Sequence, residues 1–273
     1  MKLLVISDLH IADNEHLGTF GWNLEDFIGI VEAVRRDHSI DRVILNGDTF
    51  DLCKSNYRDI VSSHKQIIDY LMRIGSVFIK GNHDCALGYG QNHFGTINSK
   101  GEKIYIEHGH RADFINGTPL GRCMGNFFYR VLKLLARLSV TRTLYFGYLE
   151  HDEGFKGHGK YNSYKYLRYA VKLLRKYDMV VLGHTHKIEF HNTYWLNNRK
   201  RYINSGSCSF GRFQGIVIDT ETLHHSTIRM DPPRPPSTVP AAAPHKAPRK
   251  KLRPFVNDGT LVPAAVPCSI PCQ

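Results

Sequence analysis

Apolar residues along the chain fall into short continuous runs, separated by stretches in which they recur every three or four positions. "KLLVIS" (2–7), "RVILNGD" (42–48) and "SVFIKGNHD" (76–84) are runs of the kind expected for strands buried on both faces. Between them, "LEDFIGIVEAVRR" (24–36) puts Phe27, Ile30, Val31 and Val34 at helical spacing, and "YRDIVSSHKQIIDYLMRI" (57–74) reads as a second helix. "KIYIEHGH" (103–110) and "MVVLGHTH" (179–186) are two more strands. From 186 onward the helical pattern stops. "KIEFHNTYW", "RYINSGS", "GIVIDT" and "HHSTIRM" read as successive strands. The order βαβαβ, then strand, helices and a run of strands predicts a layered α/β fold.

Composition changes this picture at the C-terminus. "DPPRPPSTVPAAAPHKAPRKKLRP" is rich in Pro and Ala and has no apolar period. Residues 231–273 are therefore expected to form a disordered basic tail, and residues 1–230 the folded domain. No apolar run approaches the roughly 18 residues of a membrane span. The start "MKLLVISDLH" is too short for a secretory signal. The six cysteines are scattered without zinc-site or disulfide spacing, which points to a reducing, cytoplasmic setting.

Each early strand ends in the same chemistry. "SDLH" follows the first, "NGDTFD" the second, "GNHD" the third, "HGH" follows "KIYIE", and "HTH" follows "MVVLG". Sites in α/β sheets form at the carboxyl ends of strands. Each motif alone reads as a polar turn. Five in order bring Asp8, His10, Asp48, Asn82, His108, His184 and His186 together, a carboxylate and imidazole set suited to Mn, Fe or Zn. That is too many ligands for one ion and enough for two sharing a bridge, a device for displacement at phosphorus.

"DLH", "GDTFD", "GNHD", "HGH" and "GHTH", in that order, resemble the blocks of the calcineurin-like metallophosphoesterase superfamily over about residues 1–220. The resemblance implies a four-layer αββα sandwich with two divalent metal ions between the sheets, Mn before Fe or Zn. It implies one metal on Asp8, His10, Asp48 and His186. The other would sit on Asp48, Asn82, His108 and His184, with Asp48 bridging. It assigns His83 as the acid that protonates the leaving oxygen, with Asp51 holding its ring. Gly81 is expected to let the chain turn sharply toward the ions, and Asp84 to cap the turn or to orient His83. His110 reads as a second-layer, substrate-facing or surface histidine, and Asn204 as a support for the metal loops or a turn.

Charge adds a clue to the substrate. The formal net charge is +11, but residues 1–117 carry −4 and residues 118–180 carry +8. In that basic stretch (an insertion at about 118–178) "NFFYRVLKLLARL" spaces Phe127, Phe128, Val131, Leu132, Leu135 and Leu138 helically, with Arg130, Lys133 and Arg137 on another face. "YNSYKYLRYAVKLLRK" repeats the plan with Lys165, Arg168 and Lys172. Two such helices either cover the sandwich or meet an anionic membrane or a lipid-bearing phosphate ester. The arrangement resembles the UDP-2,3-diacylglucosamine pyrophosphatase branch. The rival classes are a nucleic-acid phosphodiesterase, whose basic stretch would track phosphates, and a non-catalytic metal-dependent scaffold. Retention of His83 argues against the scaffold.

Overall fold

The computed structural model describes residues 1–230 apart from 14–17, 119–120, 122–123, 125–126, 129–130, 132–133, 136–137, 159 and 197, and only the backbone of 114–115 and 149–163. Arg130, Lys133, Arg137, Leu132 and the expected tail 231–273 lie outside the described residues. Every predicted strand forms. They are β1 (Lys2–Ile6), β2 (Arg42–Asn46), β3 (Val77–Ile79), β5 (Lys103–Ile106), β6 (Met179–Leu182), β7 (Ile188–Trp195), β8 (Asn198–Ser205), β9 (Phe213–Asp219) and β10 (His225–Met230). The pattern did not announce β4 (Phe94–Ile97), a short strand whose residues are all half-buried or exposed.

The strands make two five-stranded mixed sheets, in the orders β10-β9-β1-β2-β3 and β4-β5-β6-β8-β7. β1, β2 and β3 are parallel, as are β5, β6 and β8, while β9 runs antiparallel to β1 and β10, β4 to β5 and β7 to β8. Continuous apolar runs are needed because both faces of each central strand are covered. In β1, Leu3 and Val5 pack toward the second sheet, where they meet Ile104, Ile106, Met179 and Val181. Leu4 and Ile6 point the other way, into a core with Phe27, Val31, Ile60 and Leu71. Those residues come from α1 (Leu24–Asp37) and α2 (Tyr57–Arg73). Asn23 caps α1 by accepting from the Glu25 N–H, with Glu25 and Asp26 in its first turn and Arg35 and Arg36 in its last, as the helix dipole favours. On the far side, Tyr105, Val180, Leu182 and Tyr202 pack against Ala170 and Leu174. The layers are thus helix, sheet, sheet, helix.

The basic stretch departs from expectation. A helix α3 (Ser139–His158) forms where the sequence offers Thr, Val and three glycines, all weak helix formers. α4 (Lys160–Leu174) buries Tyr166, Ala170 and Leu174 and exposes Arg168 and Lys172. Phe127, Phe128, Val131, Leu135 and Leu138, which the spacing sets on one apolar face, lie in solvent; Phe127 is 70% exposed and Leu138 62%. No described helix is long and apolar enough to cross a membrane.

Candidate metal centre

The five motif loops follow the carboxyl ends of β1, β2, β3, β5 and β6 and converge between the two sheets. The first two run side by side. Asp8 N–H donates to Gly47 O at 3.1 Å, His10 N–H to Asp48 O at 2.9 Å and Ile11 N–H to Thr49 O at 2.9 Å. Of the nine left-handed non-glycine residues among those described, five are expected ligands: Asp8, His10, Asp48, His184 and His186. Left-handed backbone is costly for such residues and is kept where surrounding structure over-determines it.

Gly81 has a different purpose from the one expected. Gly81 is not left-handed, so it does not make a special turn. A Cβ there would lie 2.0 Å from Asp48 Oδ1 and 2.6 Å from Asp48 N. A Cβ at Gly47 would meet the His108 ring at 2.4 Å. Each glycine makes room for a residue of another loop.

Two carboxylates divide their oxygens. Asp8 Oδ2 accepts the His184 N–H at 3.0 Å and Asp48 Oδ1 accepts the His83 N–H at 2.8 Å, which ties loops together. Asp8 Oδ1 and Asp48 Oδ2 then face the centre. His186 Nε2 lies 3.2 Å from Asp8 Oδ1 and 3.4 Å from His10 Nε2, and His108 Nε2 lies 3.2 Å from Asp48 Oδ2. His108 Nδ1–H donates to Asn46 O at 2.8 Å, which turns Nε2 and its lone pair inward.

These atoms fit a metal better than they fit one another. Asp8 Oδ1, Asn82 Oδ1 and His108 Nε2 are buried and make no well-aligned hydrogen bond among the described residues. Ligand atoms about 2.1 Å from one ion stand about 3.0–3.4 Å apart, and the contacts above are of that length. Among the described residues four sets of donors lie close enough to hold an ion. Two include His83, and the two made of expected ligands alone are Asp8 with His10 and His186, and Asp48 with His108 and His184. Burial alone would raise the Asp8 and Asp48 carboxyls. The charges of His186 and His108 beside Asp8, and of His108 and His83 beside Asp48, outweigh it and hold both well below the usual carboxylate range. Burial pushes His10 down to about 3, helped by His83, and lowers His184, helped by His108. Ionised carboxylates and neutral imidazoles are what a divalent cation requires, and His10 and His184 are neutral already. Burial would lower His108 too, but Asp48 and Asp8 raise it to about 9, so it would give up a proton on binding a cation.

His83 behaves differently. Burial would lower its pKa, but Asp51 and Asp48 raise it well above the ordinary value. Its Nδ1 lies 2.9 Å from Asp51 Oδ1, the pairing expected from the sequence. Asp84 caps and also bridges. Its Oδ1 accepts the Gly81 N–H at 2.6 Å and its Oδ2 the Thr49 N–H at 2.8 Å, joining the third loop to the second. Asn204 braces the last loop, donating through Nδ2 to Gly183 O at 2.8 Å.

His110 sits beside the centre, its ring 5.6 Å from that of His108. Of the expected basic contacts, Lys165 pairs with Asp113 at 3.2 Å, while Arg168 and Lys172 are exposed on α4. Two residues escaped the sequence. Tyr166 of α4 is buried with its ring 5.6 Å from that of His184. Lys54, nearly buried, meets Asp51 Oδ2 at 2.7 Å. Tyr166 looked like one more aromatic on an amphipathic helix, and only the spacing "DLCK", a lysine three after Asp51, pointed to the other.

No curated protein sequence matches the chain. Among solved structures, a predicted phosphoesterase from Streptococcus pneumoniae TIGR4 aligns at 17% identity over 84% of this chain and 97% of its own, with a TM-score of 0.35. A dimetal phosphatase from Danio rerio aligns at 10% identity over 84% of this chain and 98% of its own, with a TM-score of 0.43. The sequence model of the family described as calcineurin-like phosphoesterase matches residues 1–188. A match of that extent completes what the strand-end loops and the facing sheets point to: the chain belongs to the calcineurin-like phosphoesterase family and is a metal-dependent phosphoester hydrolase.

Proposed function

We propose that residues 1–230 form a catalytic domain that hydrolyses a phosphodiester or pyrophosphate bond with two divalent cations, Mn first among them. One cation would be held by Asp8, His10, Asp48 and His186, the other by Asp48, Asn82, His108 and His184. Bound there, the ions supply Lewis acidity toward phosphoryl oxygens and a water-derived nucleophile at neutral pH. The rest is the work of side chains. His83, charged beside Asp51 and Asp48, gives its proton to the leaving oxygen. With Nδ1 committed to Asp51, Nε2 is the nitrogen that reaches the ester. Asp8 and Asp48, each with one oxygen tied to a loop N–H, keep the other aimed at the centre.

The observation that carries this reading is the spacing of the inward-facing donors. Oxygens and imidazole nitrogens from different strand ends stand 3.2–3.4 Å apart. At that distance their lone pairs repel unless a proton or a cation lies between them, and one cation serves a carboxylate and two imidazoles at once. For the substrate, the exposed apolar side chains of the insertion, among them Phe127, Phe128, Leu134, Leu138 and Leu144, favour a lipid-linked pyrophosphate such as a UDP-diacylglucosamine over a nucleic acid. Phe127 and Phe128 would also serve a nucleic acid by stacking on its bases, but the exposed leucines would not.

The test is hydrolysis by purified protein reloaded with Mn, Fe or Zn, against a generic diester, a monoester, UDP-linked lipid sugars and single-stranded DNA. Asp48→Asn removes one charge from the shared position, and it is expected to lose bound metal and turnover together. A variant that retains about two ions per chain and full rate would end the two-ion reading.

A further inference from the structure

Asp51 is fully buried and is claimed from three sides. His83 Nδ1 lies 2.9 Å from Oδ1, Lys54 Nζ 2.7 Å from Oδ2, and His10 Nδ1 3.9 Å from that same Oδ2. His83 belongs to proton transfer and His10 to the first metal set, so the carboxylate stands between two tasks. Its second oxygen decides which it serves. A carboxylate that swings Oδ2 toward His10 would pull Oδ1 away from His83. Lys54 occupies Oδ2 and blocks that motion. The contact is one of charge rather than an aligned hydrogen bond, since Oδ2 makes no hydrogen bond of good geometry among the described residues. It needs a dry surrounding to be strong, and that is present. The Lys54 side chain is 7% exposed. Its ammonium lies 5.9 Å over the ring of Tyr145, a buried residue of α3. The basic insertion thus closes over a cation that acts on the site.

We propose that Lys54 is a positioning residue for phosphoester hydrolysis: by pinning Asp51 Oδ2 it keeps Oδ1 on His83 and so keeps His83 aimed at the leaving oxygen. The proposal rests on His83 being the proton donor. It predicts that loss of Lys54 is felt where proton donation matters and not where the metals alone suffice. Lys54 is not itself among the proposed ligands, so metal content is expected to stay unchanged.

The experiment compares Lys54→Met, Lys54→Arg and His83→Ala with the natural chain. Two diesters are used, one with a nitrophenolate leaving group and one with an alkoxide, alongside metal content, thermal unfolding and inhibition by inorganic phosphate. Lys54→Met is expected to lower kcat on the alkyl diester by about 10- to 100-fold, a part of the 10²–10⁴ that a general acid contributes. The nitrophenyl diester, KM, phosphate affinity and the ions per chain are expected to stay close to the natural values. Lys54→Arg, which restores a cation, is expected to recover much of the loss. Should Lys54→Met fail to fold, Lys54→Gln, close in volume and still a donor, is expected to show the same change in the ratio of the two rates. An unchanged ratio in the folded variant, or an equal loss on both substrates, overturns the assignment. If His83→Ala itself treats both diesters alike, the acid reading of His83 falls, and that of Lys54 with it; a leaving-group effect in His83→Ala but none in Lys54→Met sinks Lys54 alone.

Discussion

Single atoms set the geometry of the centre. A carboxylate has two oxygens, and in Asp8 and Asp48 one is spent on a neighbouring loop so that the other is fixed in direction. Asp48 can do this only because Gly81 offers no side chain, the space between them being too small for one. Gly81→Ala is therefore expected to force Asp48 aside. Overpacking of this kind costs about 1–3 kcal/mol, and the displaced carboxylate would also weaken metal binding. Thermal unfolding and metal analysis of the purified variant check both. A variant with natural stability and full metal content would show that the loop gives way easily.

Among elements, the loops are held by side chains outside the proposed ligand set. Asp84 joins the third loop to the second through backbone N–H groups of Gly81 and Thr49. It does so although burial and the charge of Asp48 push its pKa up to about 6. Its ionised form is therefore less favoured than in water, and a cation held by Asp48, as proposed, would relieve part of that cost. Asp84→Ala leaves three buried N–H groups, those of Gly81, Thr49 and, at a longer 3.4 Å, Phe50, without this acceptor, at about 1–3 kcal/mol for each such group. We expect a lower denaturant midpoint for Asp84→Ala and weaker retention of metal on dialysis. An unchanged midpoint would mean that other groups satisfy those N–H donors.

For the molecule as a whole, the open question is what meets the insertion. Large apolar side chains left in water on a segment with a charge of +8 suit an anionic lipid surface. Changing Arg130, Lys133, Arg137, Lys165, Arg168 and Lys172 to Gln tests this, at about 1 kcal/mol for each basic residue near such a surface. Binding to anionic vesicles and hydrolysis of a lipid-linked pyrophosphate are expected to fall by several decades at most, with a small chromogenic diester nearly unaffected. If the natural chain ignores anionic vesicles at low salt and the six-fold variant matches it on every substrate, a soluble phosphodiester becomes the better reading.

The sequence by itself determined the strands, the helices α1 and α2, and the five loops with the carboxylates and imidazoles they carry. Strands buried on both faces must be written as unbroken apolar runs, and polar residues at their ends then stand out. It also paired His83 with Asp51, through motifs whose order is specific. Tertiary structure decided the rest. The helix α3 forms against the propensity of its own residues, and β4 has too little burial to leave a pattern. Phe127, Phe128 and Leu138 have the spacing of a buried face and lie in solvent, because spacing fixes which residues share a side of a helix and not what that side meets. The reason for Gly81, the closeness of Tyr166 to His184 and the grip of Lys54 on Asp51 depend on distances between separate loops and helices. Such distances exist only once the two sheets have closed on each other.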